Sequence, residues 1–276
     1  MALLRDLSRL RPSRLAALGH RLVRAAEVLG PREGLKAVLT ARRAREPVTL
    51  RVPGWPRPFW FRGWADAGIL GHLFMPGFEV VTPPGDPVRR IIDGGANIGG
   101  ETLRFRLFHP DADIVAVEAA ESNFSILRRN FDGDPHVEVR HAGLWSTTTP
   151  LRVEPGGTFE GFHVREARPD EQPDVVGVGL ADLLEARGWS QVDVLKLDIE
   201  GAEWELFGPG AAAWIHRVKV LLFECPDADR PGTTARIFKA FAALDVDVVI
   251  AGEKVALVRR DSGWRVVCHR ALPGGR

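Results

Sequence analysis

The chain has 276 residues, 45% of them hydrophobic and 26% charged, with a formal net charge of +1. That balance belongs to a soluble globular fold, long enough to bury roughly three quarters of its unfolded surface without staples. It gives the whole molecule no bulk attraction for nucleic acid or an anionic membrane.

Two cysteines, Cys225 and Cys268, supply neither a disulfide framework nor a CxxC metal site, so inert thiols in a reducing cytoplasm are expected. No apolar run reaches the roughly 18 residues a membrane span requires. The first residues, MALLRDLSRLRPSRLAALGHRL, lack the apolar core of a secretory signal. The expected division is an N-terminal extension over 1–84 and a main domain over 85–276.

Residues 1–46 carry eleven Lys/Arg against four Asp/Glu. Leu3, Leu7 and Leu10, then Leu15, Leu18 and Leu22, recur at helical spacing, and Pro12 and Gly30-Pro31 break the pattern. This predicts amphipathic helices packed on the main domain; a surface for an anionic partner is the sharper alternative. VTLRVPGWPRPFWFRG predicts two strands around a Pro/Gly turn, and WADAGILGHLF a short helix.

From Val88 onward short β-branched runs alternate with helical stretches. The runs are VRRIID, DIVAVE, VEVRHAGL, VDVLKLD, VKVLLFE, DVVIA and VALVRR. ETLRFRLF, SNFSILRRNF, LADLLEARG, AEWELF and TARIFKAFAAL lie between them. Such alternation predicts an α/β fold with a doubly wound, mostly parallel sheet. Ligands of such sheets bind beyond the carboxyl ends of the strands, where Asp93, Glu118, His141, Asp198 and Glu224 fall.

The first run feeds a glycine loop, Gly94-Gly95-Ala96-Asn97-Ile98-Gly99. A dinucleotide loop needs a second glycine so that backbone can approach the pyrophosphate. Here Ala96 holds that position, and Asp93 would repel phosphate. S-adenosylmethionine has no phosphate and carries an ammonium and a sulfonium, so an acid at the loop becomes favourable. Glu118 ends the next strand, 25 residues after Asp93, where an acid can accept hydrogen bonds from ribose hydroxyls. NAD would share that last feature.

The segment VDVLKLDIEGAEWELF carries a second group of acids. Asp198 leaves a strand tip, Glu200-Gly201 makes a turn, and Glu203 and Glu205 suit the first turn of a helix. Lys196 lies two residues before Asp198 and on the same face, where it can pair with that acid.

These residues carry a resemblance. IIDGGANIGGET, IVAVEAAESNFSILRRN, LADLLEARGWSQVDVLKLDIEGAEWELF and VKVLLFE, in this order over residues 88–225, resemble the FkbM-like methyltransferases. The resemblance implies a class I Rossmann-like methyltransferase fold, whose seven-stranded sheet ends in an antiparallel strand, VALVRR beside DVVIA. It implies S-adenosylmethionine as cofactor, with contacts at Asp93, Gly95, Asn97 and Glu118 and a role for Asp198 and Glu200. Gly94, Gly99 and Ala119 complete the expected cofactor set. Gly94 stands where the family usually has a β-branched residue, and Ala119 where it usually has Pro. The implied reaction is O-methylation of a secondary metabolite, glycan or related sugar-bearing molecule. Residues 146–179 match nothing in the family pattern and are where acceptor choice is expected.

An alcohol is a weak nucleophile at neutral pH, so a base helps. Asp198 is the candidate, with His163 or His141 as alternatives. A divalent metal on Asp198, Glu224 and Asp227 is a less favoured reading. An NAD-linked oxidoreductase and a non-catalytic binding protein are the competing functions.

Overall fold

A computed structural model describes residues 32, 47–62, 66, 77–155, 162–228 and 230–269. The helices expected over 1–46 and in WADAGILGHLF lie outside the described residues, apart from Arg32 and Asp66. The chain divides into two compact units, Met1–Pro76 with Arg270–Arg276, and Gly77–His269.

In the first unit, β1 (Val48–Leu50) and β2 (Phe59–Phe61) pair antiparallel, with Val48 opposite Phe61. These are the two strands expected around the Pro/Gly turn. Leu50, Phe59 and Phe61 are buried, and Arg62 pairs with the buried Asp66 at 2.7 Å.

The second unit is built on a seven-stranded sheet. Its strands are β4 (Arg90–Gly94), β5 (Asp113–Glu118), β6 (Val137–His141), β11 (Val192–Leu197), β12 (Val218–Glu224), β13 (Val246–Ala251) and β14 (Lys254–Arg259). Their spatial order is β13-β14-β12-β11-β4-β5-β6. Only β14 runs against the others, between β12 and β13. This is the class I Rossmann-like methyltransferase arrangement, antiparallel VALVRR strand included.

Side chains of these strands alternate between two cores. Ile92, Val117, Leu195, Leu221, Phe223 and Leu257 face one side. There they meet α3 (Leu180–Ala186), α4 (Glu203–Leu206) and α5 (Thr233–Phe241) through Leu183, Leu206, Ile237 and Phe241. Ile91, Ile114, Val194, Val220, Leu222 and Val258 face the other side, with Phe105 of α1 (Gly100–Phe108) and Trp264. Each fully buried aliphatic or aromatic side chain here contributes about 1.5–3 kcal/mol. The last helix, α2 (Glu121–Phe131), follows β5. No helix among the described residues is long and apolar enough to cross a membrane.

The structure departs from the sequence reading in three places. VEVRHAGL is not one strand: it breaks at Ala142, and β7 (Gly143–Trp145) leaves the main sheet to pair with β10 (Val175–Gly179). The unassigned segment after it supplies β8 (Thr149–Pro155) and β9 (Phe162–Glu166), giving a four-stranded sheet ordered β7-β10-β8-β9. Finally, β3 (Gly77–Val81) pairs with β15 (Arg265–His269), two short runs not expected as strands.

Gly99 caps α1 at φ 95°, and a β-carbon there would collide with Phe131 and Leu127 of α2. Left-handed strain of about 1–2 kcal/mol adds to overpacking of about 1–3 kcal/mol. Gly99→Ala is expected to lower unfolding free energy by roughly 2–4 kcal/mol, read by urea denaturation.

His109, at the end of α1, has its pKa pushed down to about 4 by burial, against the opposing pull of Asp193. The folded pKa lies below the ordinary 6.5, so the neutral ring's contribution is complete above pH 6.5 and is lost as pH falls toward 4. Denaturation midpoints across that window should decline less steeply for His109→Gln than for the unaltered chain.

Candidate active site

The carboxyl ends of β4, β5 and β11 open into a cleft with about 530 Å³ of unfilled space, part of it open to solvent. Gly95, Asn97, Glu118, Ala119, Asp198 and Glu200 line it. So do Asn123, Leu144, Phe162, Val164 and Ile199.

The glycine loop forms one wall. The Ala96 amide donates to the Val117 carbonyl at 3.0 Å, and the Asn97 amide to Glu118 Oε2 at 2.8 Å. Asn97 sits in the left-handed region at φ 51°, a conformation that short polar side chains tolerate. Its Oδ1 is buried and accepts no hydrogen bond. Gly95, at φ 69°, passes so close to the Asp198 carbonyl that a β-carbon would overlap it. Gly94 and Gly99 do not line the cleft. At Gly94 a β-branched side chain would meet Leu144, Leu197 and the Lys196 carbonyl, so Leu144 fills the space such a residue would need.

Glu118 is 7% exposed. Its Oε1 accepts from the Ala120 amide at 2.9 Å and from Asn123 Nδ2 at 3.4 Å. Burial raises its pKa, and the Ala120, Asn97 and Asn123 donors oppose the rise. A carboxylate offers about four acceptor positions. Three are in use, and the group still lines the cleft.

Asp93 is placed differently from the sequence reading. It is fully buried beneath the cleft, accepts a 2.6 Å hydrogen bond from Thr102 Oγ1, and pairs with Lys196 Nζ at 3.1 Å. Its counter-charge is Lys196, and it is not among the residues that line the cleft. Burial raises its pKa against the pull of Lys196. Lys196 Nζ also donates to the carbonyls of Gly94 at 3.2 Å and Gly95 at 2.9 Å, and lies 3.7 Å from Asp198 Oδ2.

Asp198 leaves β11 with its amide bonded to the Gly94 carbonyl at 3.1 Å and its side chain 35% exposed. Glu200 (φ 53°) and Gly201 (φ 91°) turn the chain. Glu203 holds that turn: its buried carboxylate accepts from the Ile199 and Gly201 amides, both at 2.9 Å. This function was hidden in the sequence, where Glu203 reads as a helix first-turn acid. Its signal is the acid at the head of a helix directly behind an Ile-Glu-Gly turn.

His163 is exposed on β9, with Nδ1 3.0 Å from the Glu200 carbonyl. A carbonyl only accepts, so Nδ1 carries the proton and Nε2 of the neutral ring keeps the lone pair. His163 thus touches the turn without lining the cleft, whereas its neighbours Phe162 and Val164 do line it. His141 bonds the Ala119 carbonyl through Nε2 at 2.9 Å and stacks on Phe124. Its ring is occupied away from the cleft. The three carboxylates considered as metal ligands do not converge. Glu224 pairs with Lys254 at 3.3 Å, and Asp227 caps α5 through the Gly232 and Thr234 amides. Among the described residues no group of three or more His, Cys, Asp or Glu could hold a metal ion.

The pattern of the methyltransferase FkbM domain matches residues 93–241, more than half of the chain and a span that includes every residue named above as lining the cleft. The methyltransferase sdnD of Sordaria araneosa is 29% identical over 163 residues, 47% of this chain and 62% of that protein. The alignment therefore spans less than two thirds of its length. Among solved structures, the fibrillarin pre-rRNA processing protein of Methanococcus jannaschii aligns with 66% of this chain and 70% of its own, at 12% identity and a TM-score of 0.38. The precorrin-6y C5,15-methyltransferase of Geobacter metallireducens GS-15 aligns with 77% and 90%, at 11% identity and 0.36.

Replacing Glu203 by Ala strips two backbone donors of a buried charged acceptor. The expected loss is about 2–4 kcal/mol of unfolding free energy. Glu203→Gln, with one accepting oxygen, should lose about half as much; urea denaturation of both variants measures it.

Proposed function

The chain belongs to the FkbM methyltransferase family, and from that premise we propose that it transfers a methyl group from S-adenosylmethionine to a hydroxyl oxygen of a secondary metabolite or sugar-bearing small molecule. The observation that carries the cofactor reading is the buried, unpartnered Oδ1 of Asn97 beside the buried carboxylate of Glu118 on one cleft wall. A buried acceptor without a donor costs about 1–3 kcal/mol, so a ligand donor belongs there. An ammonium or a ribose hydroxyl supplies one. Gly95 keeps the floor free of side chains, and the small Ala119 leaves room beside Glu118.

S-adenosylmethionine supplies an electrophilic methyl group on a sulfonium. The chain's task is then to hold an acceptor oxygen in line and to relieve it of its proton. Asp198 is the base in this reading, because its partly exposed carboxylate lines the cleft. Glu200 lies beside it. Nε2 of His163, on β9 and hydrogen-bonded to the turn that Glu200 makes, is the alternative proton acceptor. Phe162, Val164 and Leu144 give an apolar wall on which the acceptor rests, drawn from the segment between β6 and α3. The free thiols of Cys225 and Cys268 suit a reducing compartment such as the cytoplasm.

Calorimetric titration with S-adenosylmethionine, and with NAD in parallel, is expected to show binding of the former alone. Binding of NAD, or of neither, would overturn the cofactor reading. Glu118→Ala should weaken the binding by about 1–3 kcal/mol, roughly fivefold to 150-fold. The affinity of the unaltered chain should begin to fall at a pH above the ordinary glutamate range, because burial raises the Glu118 pKa.

Asp198→Asn is expected to leave cofactor affinity within a few-fold and to cut turnover roughly a hundredfold or more once an acceptor is in hand. Normal turnover would return Asp198 to a strand-end role.

A further inference from the structure

Lys196 stands beside the cleft and engages four groups of the protein itself. It stands on β11 directly opposite Asp93 on β4. Asp198 follows two residues later, on the same face of the sheet. The ammonium has three protons and meets four oxygens: Gly95 at 2.9 Å, Asp93 at 3.1 Å, Gly94 at 3.2 Å and Asp198 at 3.7 Å. Its side chain is 12% exposed.

We propose that Lys196 is the positioning residue of this cleft: one ammonium ties the glycine loop to the Asp198 turn and holds the Asp198 carboxylate on the cleft wall. The functional consequence rests on the methyltransferase reading; the mechanical one does not. A lysine that served only to neutralise Asp93 would need neither loop carbonyl nor Asp198. Instead the two carbonyls belong to the start of the glycine loop, whose Gly95 lines the cleft, and the second acid is the group that faces the ligand space. An ammonium has no lone pair and cannot itself act as a base or nucleophile. Burial alone would lower the Lys196 pKa, but the charges of Asp93, Asp198 and Glu101 outweigh it and hold the side chain protonated above the usual lysine range. Glu101, on α1, is itself 3.5 Å from Lys254. Glu118 also lies within the field of Lys196.

Lys196→Met alone would strand a buried Asp93, so the informative variant is Asp93→Asn/Lys196→Met, compared with Asp93→Asn. Two readouts apply. In amide hydrogen exchange of the free protein, residues 95–97 and 198–201 should exchange at least tenfold faster in the double variant, with the global unfolding midpoint equal to that of Asp93→Asn. In calorimetry, S-adenosylmethionine should bind at least tenfold more weakly than to Asp93→Asn. A double variant that matches Asp93→Asn in loop exchange would overturn the proposal and leave Lys196 a counter-ion for Asp93.

The unaltered chain gives an independent test that needs neither folding of a variant nor a ligand. It has only five lysines, so ¹⁵N-lysine labelling resolves their side chains. The Lys196 ammonium should give a protected signal with slowly exchanging protons; exchange as fast as that of a solvated lysine would refute the contacts on which the proposal stands. If S-adenosylmethionine fails to bind the unaltered chain, the cofactor reading falls while both exchange measurements still decide the role of Lys196.

Discussion

A nearly buried cation at the carboxyl end of a central strand is costly unless its charge is balanced and its protons find acceptors, and Lys196 finds two carboxylates and two carbonyls inside the protein. Asp93 supplies the counter-charge from the neighbouring strand, with Thr102 holding the carboxylate from α1. The Gly94 and Gly95 carbonyls take further protons. Those carbonyls start the loop that forms one wall of the cleft, and Asp198 starts the turn that forms the facing wall. Removing either member of the pair would leave an uncompensated buried charge, a loss of several kcal/mol. In our proposal the geometry of the cleft therefore depends on this internal ion pair.

Other acids in this unit act in a related way, with backbone amides in place of lysine. Glu118 takes the Asn97 and Ala120 amides and so fixes the glycine loop against the start of α2. Glu203 takes the Ile199 and Gly201 amides and fixes the turn in which Glu200 adopts a left-handed backbone. At the opposite end of the sheet, Asp193 takes the Arg89 and Arg90 amides and pairs with Lys219. Loops at strand ends have amides that no ladder satisfies, and a buried carboxylate can satisfy two at once. The conformations at Asn97 and Glu200 persist because these bonds over-determine them.

Much of the main sheet was legible in the sequence, because β-branched runs such as IVAVE and VKVLLFE carry their own signal. What failed was local in cause. VEVRHAGL looks continuous, but the chain turns at Ala142 so that Gly143 can pack against Leu151, and no periodicity reports that turn. In the four-stranded sheet, β8 and β9 are partly exposed and carry salt bridges such as Arg165–Glu154 beside their apolar positions. At the cleft, the grouping of Asn97, Glu118, Asp198 and Glu200 followed from their places at strand ends. The burial of Asp93 did not. Its partner Lys196 lies more than a hundred residues on, and the sequence reading joined that lysine to the nearer Asp198 alone. The structure gives it both acids, with Asp93 the closer.

Among the described residues, the side chains lining the cleft include three carboxylates, those of Glu118, Asp198 and Glu200, and no Lys, Arg or His. Lys196, below the cleft, is engaged by internal oxygens. Such a lining suits a ligand with positive charge and hydroxyl donors and disfavours a pyrophosphate, which would meet like charge with no basic group to offset it. The acid at the mouth of the glycine loop, which first suggested a cationic cofactor, contributes to that preference indirectly. By engaging Lys196 from below, Asp93 keeps the ammonium out of the cleft and leaves the carboxylates above it to set the sign of the field.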